Sequence, residues 1–242
     1  MASPLEQFTV KPIIPEIGFT NASLFMVASV GLIVGGLMLA TRSRAVIPGR
    51  AQSVAELFHD FVADLLRGIA GEEAMVFFPL VFSLFTFIFM TNYVGLLPMS
   101  FTVTSQIIVT FALAFLVIAT VVIYGLWKHG VSFLNLFVPS GLPMVLVPLI
   151  ALIEFVSFIS RPISLSVRLF ANMLAGHIAL KIFGGFVVSL AGAGGILALL
   201  APFPIVLIVA VTALELLVCG LQAFVFTVLC CIYLKDALHP GH

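Results

Sequence analysis

PMVLVPLIALIEFVSFISRPISLSVRLFANMLAGHIALKIF, residues Pro143 to Phe183, is the stretch that decides the fold. Apart from Pro148 and Pro162 it stays helix-compatible for about forty residues; at ~1.5 Å per residue that is about 60 Å, twice the ~30 Å of bilayer hydrocarbon. Such a segment either tilts strongly or breaks. The prolines permit local kinks, but no cluster of turn residues divides the stretch, so one long oblique helix is expected. A Gly-rich joint, Ala191 to Gly195, then leads into a second long apolar stretch from Ile196 to Leu234, with Pro202 and Pro204 in its opening turns and Lys235 and Asp236 at its end.

Composition agrees with a bilayer as the solvent. Of 242 residues, 62% are apolar and 8% charged, against about 25% charged in a soluble domain. Ten basic residues balance ten acidic ones and form no basic tract, so nucleic-acid binding has no electrostatic footprint. The three cysteines, Cys219, Cys230 and Cys231, sit inside an apolar segment without CxxC spacing and read as membrane-packed thiols. Neither a metal site nor a cofactor is expected. The N-terminal tail mixes Glu6, Lys11 and Glu16 with Pro4, Pro12 and Pro15, which is not the pattern of a signal peptide, so the first apolar run reads as a retained span.

Working back towards the N-terminus, Ala22 to Thr41 is one membrane span, followed at once by Arg42, Arg44 and Arg50. By the positive-inside rule the N-terminus is outside and this loop inside. From Gln52 to Gly71, Val54, Phe58, Phe61, Val62, Leu65 and Ile69 form an apolar stripe opposite Glu56, Asp60, Asp64 and Arg67. Such a helix lies on the membrane surface or against partner helices. His59, at the border of the two faces, has no ligand partner at metal spacing and reads as a plain interfacial histidine. Met75–Leu97 and Thr102–Trp127 are two further spans joined by a short turn at Pro98, and Lys128 and His129 return the chain to the inside. The expectation is an all-α membrane protein with a single membrane domain over residues 1–242. It has five membrane-crossing helices, the last two long and tilted, and one amphipathic helix. No internal repeat of the kind that builds transporters is evident.

An ionisable side chain at membrane depth costs at least ~2.5 kcal/mol, so the exceptions carry the information. On the first long helix they are Glu154, Arg161, Arg168, His177 and Lys181, with Asn172 between; on the second they are Glu215 and Gln222. At about 100° per residue, Glu154, Arg161, Arg168 and Asn172 share one stripe, while His177 falls about 180° from Arg168. Glu215 and Gln222 share a face with Cys219. Were the two long helices to end level at Phe183 and Ile196, His177 and Glu215 would stand about 20 Å apart along the axis; a first helix continuing to Leu190 would roughly halve that. Arginine does not deprotonate in proteins, so Arg168 is a fixed charge rather than a proton carrier. The acid on its own stripe, Glu154, is about 21 Å away, which directs Arg168 to a partner on another chain. Arg161 reads as a structural or snorkelling residue, Lys181 as interfacial, and Asn172 and Gln222 as amides that either bridge helices or serve the polar path.

The segment SLSVRLFANMLAGH, Ser164 to His177, resembles the long-helix signature of subunit a of the F-type ATP synthase. TNYVGLLP (Thr91–Pro98), LIEFVSFISRPISL (Leu152–Leu165) and ELLVCGLQAFVFTVL (Glu215–Leu229) support the resemblance over most of the chain. The resemblance implies a non-catalytic, proton-translocating stator subunit that faces the ring of c subunits and is held by stalk subunit b and the remaining ATP synthase subunits. Arg168 then matches the stator arginine that meets the ring carboxylate. Glu215 and His177 match the acid and histidine of the outer half-channel, in the exchanged order of mitochondrial members and their bacterial relatives. Asn172 and Gln222 match polar positions lining the same region, and Glu154 the acid near the inner half-channel. The implied host is a bacterial inner membrane, with the mitochondrial inner membrane as the alternative. A self-contained proton or ion channel, or a proton-coupled carrier, would use the same stripe but close its pathway without a ring. An intramembrane enzyme finds no HExxH, GxSxG or paired membrane aspartates to support it.

Overall fold

The computed structural model describes residues 9–10, 12–14, 16, 18–42, 48–97, 100–137 and 146–239. Arg44, Pro98, Pro139, most of the N-terminal tail and the first residues expected of the long helix, 143–145, lie outside the described residues. Two short strands, β1 (Pro12–Ile14) and β2 (Phe19–Thr20), pair antiparallel ahead of α1 (Asn21–Ala40). The Thr20 hydroxyl caps α1 by accepting from the Ser23 N–H at 3.3 Å, one of the donors a helix start leaves unpaired. Then follow α2 (Arg50–Ala70), a 3-10 turn (Glu72–Phe77) running into α3 (Phe78–Gly95), a 3-10 turn (Val103–Ser105), α4 (Ile107–His129), α5 (Val147–Ala193), the single turn α6 (Gly195–Ala198) and α7 (Pro202–Leu238). Five helical segments are long and apolar enough to cross a membrane: α1, Glu72–Gly95, α4, α5 and α7. The protein is an all-α, multi-pass membrane protein.

Packing is centred on α7, which runs against α2, α3, α4 and α5, while α5 also lies along α4. The core holds Leu66 of α2, Val81 and Ile88 of α3, Val117 and Val121 of α4, Leu165 and Leu169 of α5, and Phe226 and Leu234 of α7. The amphipathic helix is α2, and its apolar stripe buries Val62, Ala63, Leu66 and Ala70 against this same chain, with Glu56, Asp60 and Asp64 exposed. His59 sits at the edge of that contact, 3.0 Å from Asp60 and with its ring tilted by 59° against that of Phe78.

α7 runs four residues past the expected Leu234, to Leu238, and three boundaries that bear on the site also differ from the sequence reading, each for a local reason. Residues 102–105 are not the start of a span but a buried 3-10 turn, and α4 begins only at Ile107. Hydroxyls compete there for the backbone: Ser105 Oγ donates to the Thr102 carbonyl at 2.6 Å and Thr104 donates to the Asn92 side chain at 2.9 Å. At the far end, α5 continues ten residues past Phe183 to Ala193, and α7 starts six residues after Ile196, at Pro202. The hairpin tip is Gly194 and Gly195, with φ of 69° and 59°, a conformation other residues adopt only with strain. Pro162 lies within α5 without ending it; having no N–H, it cannot donate the usual helical bond to the residue four positions earlier.

Candidate functional site

The site is built on the α5–α7 hairpin, whose register is fixed by three contacts. Arg161 pairs with Asp236, Met173 Sδ lies 3.7 Å from Cys219 Sγ, and Gly176 meets Glu215. Numbers rise on one helix as they fall on the other, so the two are antiparallel along their shared length. Measured from the observed helix ends, His177 and Glu215 differ by only about 4.5 Å along the axis. The 20 Å offset disappears because both boundaries at the tip move in the sense that slides the helices into line.

Gly176 makes this closeness possible. A Cβ at that position would overlap Glu215 Oε1, so the carboxyl occupies the space a side chain would fill, beside His177. Glu215 and Gln222 are incompletely bonded: among the described residues, Glu215 Oε2 and Gln222 Nε2 are buried side-chain atoms without a hydrogen-bond partner. An unpaired buried polar atom costs about 1–3 kcal/mol, so such atoms persist where another group is to meet them. The register places Gln222 within about one turn of Arg168 and Asn172.

His177 faces the buried turn ahead of α4. Its Nε2 shares a hydrogen bond of 3.0 Å with the Thr102 hydroxyl, which also reaches the Gly95 carbonyl at 3.4 Å. Next to it Asn92 donates to the Cys219 carbonyl at 3.3 Å and accepts from Thr104, while the Tyr93 hydroxyl donates to the Leu216 carbonyl at 3.2 Å. Thr102, Thr104, Asn92 and Tyr93 therefore extend the polar cluster beyond the residues singled out from sequence. The signal for them was present as polar residues inside apolar runs, but a threonine beside a turn is ambiguous until its neighbours are known.

Arg168 is on the other side of α5, as its half-turn offset from His177 requires. It is exposed, and among the described residues it makes neither an ion pair nor a hydrogen bond. Around it lie the exposed Ile163 and Val167, while Leu165, Ser166 and Leu169 turn inward, with Ser166 joined to Thr110 of α4 at 3.0 Å. Seven residues earlier, Arg161 is compensated: its Nη1 lies 2.8 Å from Asp236 Oδ2, and its guanidinium stands over the rings of Phe158 at 5.5 Å and Tyr233 at 5.1 Å. Its structural reading holds, with Asp236 as the partner. Glu154 is half-buried on α5 and the structure does not bring it to Arg168; Asn172 is half-buried one turn beyond Arg168.

The chain matches the family described as the ATP synthase A chain over residues 23–235. It is 59% identical to the ATP synthase subunit a of Rhizobium etli (strain CIAT 652), covering 98% of each chain. It is 60% identical to that of a Chelativorans species (strain BNC1), over 99% of this chain and 98% of the relative. To the subunit of Agrobacterium fabrum (strain C58) it is 59% identical, with the same coverage of 99% and 98%.

Proposed function

The chain belongs to the ATP synthase A chain family, and from that premise we propose that it is the proton-translocating stator of the membrane sector, a non-catalytic subunit that gives a ring of c subunits two offset routes to the aqueous phases. Protons enter from outside at the polar cluster of His177, Thr102 and Glu215 and pass Asn172 and Gln222 to a carboxyl on the ring. After the ring has turned through lipid they leave on the inner side near Glu154. Arg168 divides the routes. Its permanent charge favours the ionised form of a passing carboxyl, so the proton leaves before the carboxyl goes by, and it bars a direct proton wire between the two clefts. A proton falling through about 100 mV releases ~2.3 kcal/mol, which this arrangement converts into rotation instead of leak.

The observation that carries the reading is the exposed, uncompensated Arg168 on an apolar helix face, beside an Arg161 that has its acid within the chain. A stranded guanidinium of this kind is explained by a counter-ion on another polypeptide. Other ATP synthase subunits are then the partners: the c ring at the Arg168 face, and stalk subunit b on the stationary side. A bacterial inner membrane is the proposed host.

The test is the Arg168→Ala enzyme assembled in membranes. Coupled ATP synthesis should be abolished, while the soluble head keeps hydrolysing ATP. Wild-type coupling would remove the fixed-charge role. Conduction of protons by the purified chain alone in vesicles would instead favour a self-contained channel.

A further inference from the structure

A groove of about 390 Å³ opens between α1, α2 and α3, and its lining includes neither Arg168 nor Glu215. Leu32, Gly36 and Ala40 form one wall, Ala51 and Phe58 the second, and Phe89 part of the third, so its lining is almost wholly apolar. At one end stand two cations. Arg42 follows Ala40 by two residues and Arg50 precedes Ala51, and both side chains are exposed without an ion pair among the described residues. The acid nearest in sequence, Glu56, is held by Gln52 at 2.8 Å.

We propose that this groove seats an acyl chain of an anionic phospholipid whose phosphate is held between Arg42 and Arg50. Charge and length both select that occupant. An apolar slot whose lining residues Ala40 and Ala51 are followed and preceded in the chain by the exposed Arg42 and Arg50 matches an amphiphile with a long tail and a negative head, and arginine binds phosphate oxygens in a bidentate fashion. From Leu32 to Ala40 the wall is about 12 Å long, close to one leaflet's ~15 Å of hydrocarbon, whereas a partner's spanning helix would need about 30 Å of contact. The positive-inside pattern puts the arginines at the inner surface, where anionic headgroups attract cations.

The test uses the complete enzyme, stripped of lipid in detergent and then offered photoactivatable phosphatidylglycerol or the matching phosphatidylcholine, with adducts mapped to peptides. Labelling within residues 32–58 should favour phosphatidylglycerol by about tenfold or more, since each of two cations adds to the attraction of an anionic head. In the double variant Arg42→Gln, Arg50→Gln the preference should vanish while tail labelling persists. Gly36→Phe should abolish labelling by both lipids, because a Cβ at Gly36 meets no atom within 4 Å and the new ring projects into open groove. Retained ATP hydrolysis by each variant shows that the enzyme is assembled. Equal labelling by both lipids, an unchanged preference without the arginines, or full labelling in Gly36→Phe would overturn the proposal. Loss of a stalk subunit from Gly36→Phe with lipid labelling intact would also overturn it, and would assign the groove to a protein helix.

Discussion

Arg161 and Arg168 lie on one stripe of one helix, two turns apart, yet their surroundings are opposite. Around Arg161 the chain supplies everything a half-buried cation needs: a carboxylate at 2.8 Å and two aromatic faces. Around Arg168 it supplies none of these among the described residues, and farther along the seam Glu215 and Gln222 of α7 also keep buried atoms without a hydrogen-bond partner there. The end of the α5–α7 hairpin remote from its tip is electrostatically closed, and its middle is left open. Closed charges hold helices together, whereas open ones are stable only in an assembly that completes them.

The sharpest way to break this contrast is to give Arg168 an internal partner. Asn172→Asp places an acid one turn away on the same stripe, and a pair formed there at about 3 kcal/mol would lower coupled ATP synthesis roughly 10²-fold. Asn172→Leu, which removes the amide without adding charge, should lose far less, and equal losses would refute the pairing. Next in size is Gly176→Ala: the added methyl displaces the Glu215 carboxyl, and a shift of about 1 Å in a transfer site costs between tenfold and 10²-fold in proton-driven synthesis. Gly184→Ala, where a Cβ meets nothing within 4 Å, is the matched control and should stay near wild type. Thr102→Val removes the hydroxyl that holds His177; losing about 1 kcal/mol of orientation should slow proton uptake about fivefold. Arg161→Ala should change coupling least, within about twofold. Its effect is on stability: Asp236 is left unpaired at a cost of about 2 kcal/mol, seen as a melting temperature lower by roughly 4–8 °C. The double variant Arg161→Ala, Asp236→Ala should recover part of that loss.

Much of this was legible from residue order because membrane insertion penalises charge so heavily. The five crossing segments, the amphipathic α2 and the opposite placement of Arg168 and His177 follow from hydropathy and a 100° step alone. Helix ends were less legible. Ala191 and Gly192 look like loop but continue α5, because a helix in an apolar setting tolerates small residues and only Gly194 and Gly195 take positive φ. The expected end at Phe183 and the expected start at Ile196 together set Glu215 far from His177. The start of α4 was obscured in the same way, since Thr102 to Ser105 is apolar enough to extend a span but its hydroxyls bond locally. Asp236 was read as the end of a helix, and nothing in sequence linked it to an arginine 75 residues earlier.

The notch at Gly176 has a wider implication. Across an antiparallel seam, the spot where a carboxyl of α7 rests against bare backbone of α5 is a shared address, owned by neither helix. An acid and an imidazole could trade helices and still meet at the same depth, provided the hairpin tip kept its length and one side of the seam stayed unoccupied. Inserting a single residue within α7 ahead of Glu215 would disturb that meeting more than exchanging the two groups, because it would turn that carboxyl by about 100° relative to the preceding turns of α7.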